Sequence, residues 1–158
     1  MNTHAEILIG QVHVAVADVE RSLAFYCGLI GLLRGKQIGD LTVLVPKTNH
    51  HIIIDPPHRA LAIGTQSGHA GIYHFSFLYT ERKELGRVIQ RFIDTAYEID
   101  RVCDYGITQA VYLRDPDGIP VELFTERPKR TTGPHQNKDS SINVRSTHLQ
   151  GLLNDLRE

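Results

Sequence analysis

The chain has 158 residues, of which 41% are hydrophobic and 22% charged, and its formal net charge is −1. This composition favours one globular domain over a disordered chain, and two cysteines are too few for a disulfide framework. We expect a cytoplasmic protein, with neither nucleic acid nor a membrane as partner. The charge is near neutral, no apolar run reaches ~20 residues, and no secretory signal is visible at the N-terminus.

The first half of the chain predicts one strand, one helix and three more strands. Alternating residues predict a strand over 12–16. Asp18 is a suitable N-cap for a helix that runs through Cys27 and ends near Gly28 and Gly31. Short strands are expected at about 33–38, 41–45 and 51–55, because turn-forming residues separate them. Residues 56–71 then read as a connector rich in Gly, Pro and His.

The second half repeats this order of elements. We predict a strand over 73–79, a helix capped by Thr80 that runs to about Tyr97, and strands near 101–105, 109–114 and 120–126. The sequence Asp-Pro-Asp-Gly at 115–118 predicts a tight turn between the last two strands. The buried stripe expected of the helix consists of Leu85, Val88, Ile89 and Phe92.

A repeat with an offset of 61 residues relates the two halves. It aligns His13 with His74 and Glu20 with Glu81, and it aligns the strands that carry the two histidines. This pattern predicts a duplicated unit of strands and one helix.

Strand parity directs three polar side chains to one side of the predicted sheets. His13, His74 and Glu122 each lie between apolar neighbours, so each points away from the face that packs on a helix. Two imidazoles and one carboxylate in a cavity are a ligand set for a divalent metal with open positions. Each residue alone also fits a simpler role, as a hydrogen-bonded core histidine or a solvated or salt-bridged glutamate.

Three segments resemble the vicinal oxygen chelate superfamily, which includes glyoxalases, bleomycin resistance proteins and extradiol dioxygenases. They are IGQVHVAVADVERSLAFYCGLIGL, GIYHFSFLY and AVYLRDPDGIPVELF, and they look closest to catechol 2,3-dioxygenase-like proteins. The resemblance implies an α+β fold of the glyoxalase/dihydroxybiphenyl dioxygenase type, with two βαβββ modules forming a cup-shaped mixed sheet. The domain would cover residues 1–128, with modules at about 9–56 and 71–127. Residues 129–158 would form a polar linker and an amphipathic C-terminal helix.

The resemblance also implies roles for individual residues. The metal ligands carry over to His13, His74 and Glu122, and Tyr112 would lie beside the bound substrate, although it also fits a core tyrosine. His58 is the candidate acid/base histidine, and His51 and His69 are alternatives. The simpler interpretation of His58 or His69 alone is an exposed loop residue.

A fourth metal ligand distinguishes some isomerases of the superfamily. They place a carboxylate on the last strand of the first module, where we align the apolar Ile53. Three protein ligands favour Fe(II), with Mn(II), Zn(II) or Ni(II) as alternatives. A shift of one or two residues in the alignment would make His51 or Asp55 the fourth ligand.

The expected function is extradiol cleavage of a catechol-type aromatic by O2, and the resemblance implies a homodimer. Alternatives are a metal-dependent lyase or isomerase of the glyoxalase type, and a non-catalytic binding protein of the bleomycin-resistance type. The related two-domain extradiol enzymes are about twice as long, so the chain is either a one-domain protein or half of a longer one.

Overall fold

The computed structural model describes residues 11–45, 51–60, 74–105, 107–126 and 153. The backbone forms two compact units, Met1–His69 and Ala70–Glu158, which we call the first and second modules. The predicted C-terminal helix rests on Leu149, Leu152, Leu153 and Leu156. Of these, Leu153 is described and is helical, whereas Leu149, Leu152 and Leu156 lie outside the described residues, as does His69.

The first module is a four-stranded mixed sheet in the order β1-β4-β3-β2. Strands β1 and β4 are parallel, and the other pairs are antiparallel. One α-helical turn continues into a π-helix between β1 and β2. The elements are β1 (Gln11–Ala15), α1 (Val19–Leu23), the π-helix (Ala24–Ile30), β2 (Leu33–Ile38), β3 (Leu41–Val45), β4 (His51–Asp55) and α2 (Pro57–Ala60).

The second module has the same strand order, β5-β8-β7-β6, with β5 and β8 parallel. The predicted α+β fold of two βαβββ modules is therefore confirmed. The elements are β5 (Phe75–Leu78), α3 (Arg82–Asp94), β6 (Arg101–Asp104), β7 (Thr108–Arg114) and β8 (Pro120–Glu126).

The predicted start and stop of the first helix are confirmed. The Asp18 carboxylate accepts a hydrogen bond of 3.0 Å from the backbone N–H of Arg21, as an N-cap does. Gly31 ends the π-helix with a φ of 94°, a left-handed conformation that glycine adopts without steric cost.

The predicted boundaries of the second helix are wrong at both ends. Glu81, not Thr80, is the N-cap, and the Arg82 side chain in the first turn donates a 2.8 Å hydrogen bond to Gln109 on β7. This contact with a distant strand is invisible in the local sequence. The helix ends at Asp94 rather than Tyr97, because Ala96 adopts a φ of 51°. The connector also contains a short helix, α2, that was not predicted.

The core of the second module lies between α3 and its sheet. The predicted stripe of the helix is fully buried, and α3 packs on β8. On the sheet, the buried positions alternate along β8 and from Val111 to Arg114 on β7, which leaves the residues between them on the opposite face. The buried residues are Leu85, Val88, Ile89 and Phe92 on the helix and Val111, Leu113, Val121 and Leu123 on the strands.

The turn between β7 and β8 fixes the register of these two strands. The buried Asp115 carboxylate accepts hydrogen bonds from the backbone N–H groups of Asp117 and Ile119, at 2.9 and 2.8 Å. Gly118 adopts a φ of 84° within the turn. As a result, Tyr112 on β7 pairs directly with Glu122 on β8.

Within the described residues, no helix has the length and apolar character needed to span a bilayer.

We predict that Phe92→Ala lowers the free energy of unfolding by about 3–5 kcal/mol, because it removes a fully buried ring. The matched control is Ile93→Ala on the same helix, where the side chain is 40% exposed and the expected loss is below about 1 kcal/mol. Urea denaturation followed by circular dichroism measures both values. Equal losses for the two variants would contradict the packing of α3 described above.

Candidate metal and substrate site

Four polar side chains form one row across the second sheet. The strand register pairs Arg101 with Tyr112, Tyr112 with Glu122, and Glu122 with Ser76. Residues paired across neighbouring strands project from the same face of a sheet. This row therefore occupies the face opposite the one that packs on α3.

Glu122 is at the centre of a hydrogen-bond cluster. The Tyr112 hydroxyl donates to its Oε1 and the Ser76 hydroxyl donates to its Oε2, both at 2.5 Å. The Nε2 atom of His74 lies 3.3 Å from the same Oε2. Only 16% of the Glu122 side chain is exposed, so its two hydroxyl partners replace much of the hydration that the carboxylate loses.

Tyr112 is held as a neutral hydrogen-bond donor. Burial, followed by hydrogen bonds to Glu122 and Tyr105, raises the pKa of Tyr112 well above its usual range. The hydroxyl of Tyr105 lies 3.4 Å from that of Tyr112, and the His74 ring meets the Tyr112 ring edge to face at a centroid distance of 5.9 Å. The structure thus brings together three of the predicted site residues: His74, Tyr112 and Glu122.

His74 and Glu122 fit a divalent metal as part of its ligand set. Because their donor atoms are 3.3 Å apart, both can contact one ion with bonds of about 2.0–2.2 Å. The two hydroxyls on Glu122 would orient this ligand from outside the coordination sphere, as is usual around metal sites. Among the residues that the structure describes, His, Cys, Asp and Glu form no group of three or more suited to hold a metal ion.

The first module contains a second histidine–carboxylate pair. The Nδ1–H of His13 on β1 donates to Asp55 Oδ2 on β4 at 3.0 Å. Carboxylate oxygens only accept hydrogen bonds, so Nδ1 must carry the proton. In the neutral ring, Nε2 then keeps its lone pair for a metal or another donor.

Asp55 is the counterpart of Glu122 in the repeat, which corrects our alignment of Ile53 with the carboxylate position. Ala15 pairs with Asp55 in the first sheet, and Ser76, its counterpart at the offset of 61, pairs with Glu122 in the second. Ile53 instead pairs with His13 and is buried. The histidines are 61 positions apart and the carboxylates 67, so a single offset misplaces the second pair.

His58, the predicted acid/base histidine, lies on α2 in the first module. Its Nε2 atom is 2.6 Å from Asp40 Oδ2, and its side chain is 65% exposed. His51 is exposed at the start of β4.

The sequence analysis did not assign Ser76 or Arg101 to the site, and it named Asp55 only as an alternative fourth metal ligand. Ser76 follows His74 by two residues, so strand parity alone could have placed both on the same face. Placing Asp55 opposite Ala15 required knowledge of the register between β1 and β4. Arg101 could have been found from its pairing with Tyr112 only if the turn between β6 and β7 were known.

The family model of the Glyoxalase/Bleomycin resistance protein/Dioxygenase superfamily matches residues 8–123 of the chain. The catechol-2,3-dioxygenase of Bacillus subtilis (strain 168) is 28% identical over 152 residues, which cover 96% of this chain and 53% of that protein. The chain thus spans about half the length of this curated relative.

Solved structures show the same fold. A glyoxylase/bleomycin resistance protein/dioxygenase domain from Frankia sp. EAN1pec aligns with a TM-score of 0.62 and 19% identity, covering 78% of this chain and 100% of that domain. A lactoylglutathione lyase from Agrobacterium tumefaciens aligns with a TM-score of 0.60 and 20% identity, covering 77% of this chain and 96% of that one. At these identities the similarity concerns the fold.

We predict that neutral His13 in the metal-free protein carries its proton on Nδ1, because this nitrogen faces Asp55. Long-range proton–nitrogen NMR correlation on the neutral ring distinguishes the two ring nitrogens. Asp55→Ala should shift the proton toward Nε2. Asp40→Ala, which removes the partner of His58, is the matched control and should leave the His13 signals unchanged. A proton on Nε2 in the unmodified protein would rule out the pair as described.

Proposed function

Because the chain belongs to the Glyoxalase/Bleomycin resistance protein/Dioxygenase superfamily, we propose that it is a metal-dependent dioxygenase that opens the ring of a catechol-type substrate. His74 and Glu122 would bind Fe(II), with His13 as the third ligand. The main support is the Glu122 carboxylate, which Tyr112 and Ser76 hold beside His74. The similarity to a catechol-2,3-dioxygenase supports the choice of reaction.

The ligand set explains how a substrate would be activated. When bound, a divalent iron ion supplies Lewis-acid and redox chemistry to a chelated diol and to O2. Two neutral imidazoles and one carboxylate leave such an ion with a net positive charge, which favours binding of a diol as its anion. Three protein ligands also leave positions for the two diol oxygens and for O2.

Tyr112 would orient the substrate. Its single O–H is donated to Glu122, so toward a ligand its oxygen acts as an acceptor. A diol hydroxyl can therefore donate to Tyr112, which aligns the substrate beside the carboxylate.

His58 remains our candidate for moving protons at the site. Its bond to Asp40 fixes one ring nitrogen and leaves the other for proton exchange.

We predict that protein loaded anaerobically with Fe(II) consumes O2 when a catechol is added and releases a yellow ring-opened product. Glu122→Gln should lower the rate by at least about 100-fold, because it removes the ligand charge that holds the ion. Glu126→Gln, an exposed position on the same strand, should keep full activity. An oxygen electrode and absorbance spectra follow the reaction. No oxygen uptake across a panel of diols would overturn the proposal.

A second candidate function is a lyase or isomerase of the glyoxalase type, with Zn(II), Ni(II) or Mn(II). The observation that favours it is Asp55, which occupies the position equivalent to Glu122 and bonds His13. If Asp55 bound the ion directly, four protein ligands would leave fewer positions for O2. If Asp55 only orients His13, the three-ligand dioxygenase site holds.

Asp55→Asn distinguishes these two roles, because asparagine keeps an oxygen that accepts from His13 but loses the negative charge. The dioxygenase proposal predicts a loss of metal affinity within about tenfold for Asp55→Asn and a larger loss, up to about 100-fold, for Asp55→Ala. Competition with a chromogenic chelator measures both. Asp40→Asn is the control at the other histidine–aspartate pair. Losses of more than 100-fold in both Asp55 variants would instead favour the lyase.

A further inference from the structure

A cleft of about 220 Å³ opens beside the polar row of the second module. The residues that line it include His74, Tyr112, Asp100, Arg101 and Arg114. The proposed metal ligand His74 and two guanidinium groups therefore face the same space. This cleft is where a substrate held at His74 and Glu122 would extend.

The charges around the cleft favour an anion. Arg101 and Arg114 contribute two positive charges, and Asp100 contributes one negative charge at 3.6 Å from Arg114 Nε. Arg114 also donates to the Gly118 carbonyl oxygen at 3.0 Å, which holds the side chain near the turn.

Arg101 is held in place by the ring of Tyr112. The guanidinium carbon lies 4.1 Å from the ring centroid, within the range of a cation–π contact. Arg101 and Glu122 lie in the same row, on β6 and β8, with β7 between them. Two strand spacings place their backbones about 10 Å apart. At the side-chain ends the two groups are closer, because the Tyr112 ring that Arg101 stacks on donates its hydroxyl to Glu122. A single-ring ligand held beside Glu122 therefore comes within reach of the Arg101 guanidinium.

We propose that the substrate of this site is a catechol that carries a carboxylate on its ring, and that Arg101 and Arg114 bind this carboxylate. The inference rests on the proposed function, because the diol end of the substrate is taken to lie at His74 and Glu122. Guanidinium groups suit the task, since they offer paired N–H donors to both carboxylate oxygens.

Equilibrium binding tests the proposal without requiring turnover. Protocatechuate carries a charged ring carboxylate that its methyl ester replaces with a neutral ester group, and calorimetry on the anaerobic, Zn(II)-loaded protein gives the affinity of each. We expect the acid to bind at least about tenfold more tightly than the ester, as one charge-assisted contact implies. Arg101→Met and Arg114→Gln should each reduce this preference several-fold, and added salt should weaken only the acid. Arg87→Gln, an exposed arginine on α3, should keep the full preference.

The outcomes separate this inference from the proposed function. Equal affinities for acid and ester, or a preference that survives both Arg101→Met and Arg114→Gln, would overturn carboxylate recognition. Failure of both ligands to bind would overturn it as well. The two proposals can also fail separately. If the preference for the acid depends on the two arginines, but the Fe(II)-loaded protein consumes no O2 with any diol, carboxylate recognition is supported and only the dioxygenase reaction is overturned. Because Arg114 is a largely exposed side chain, its variant tests the proposal even if Arg101→Met fails to fold.

Discussion

The hydrogen bonds that fix Glu122 are the interaction on which the account of this protein depends. A carboxylate with little exposure needs partners, and Tyr112 and Ser76 provide them from the strands on either side. With these two contacts in place, Glu122 Oε2 lies 3.3 Å from His74 Nε2. The turn at Asp115 and the register of β5, β8 and β7 thus hold together the two side chains that we propose as metal ligands.

The division of the second sheet into two chemically different faces allows this polar cluster to coexist with an apolar core. In the second module, alternate residues of β7 and β8 pack on α3 and form the core. The residues between them are free to be polar without opening a gap in that core. Stability and chemistry are therefore assigned to opposite sides of the same strands.

The sequence was sufficient to predict the order of helices and strands along the chain and the buried stripe of α3. It also predicted that His74, Tyr112 and Glu122 point away from the helix-packed face of their sheet. These features follow from local periodicity, which a single strand or helix carries by itself. The position of Asp55 was misjudged because it depends on register between β1 and β4, and the two modules differ in length between histidine and carboxylate. The start of α3 was misplaced because its first turn is tied to Gln109 on a distant strand.

The most direct test is to add Mn(II) to the isotopically labelled, metal-free protein and follow paramagnetic broadening by NMR. The account predicts that one equivalent broadens the signals of His74, Ser76, Tyr112 and Glu122 together with those of His13, and that Glu122→Gln abolishes the effect at low Mn(II). Residues on the outer side of α3, such as Arg87, should stay sharp. Broadening confined to other acidic positions, or none at one equivalent, would contradict the claim that these side chains bind one divalent ion.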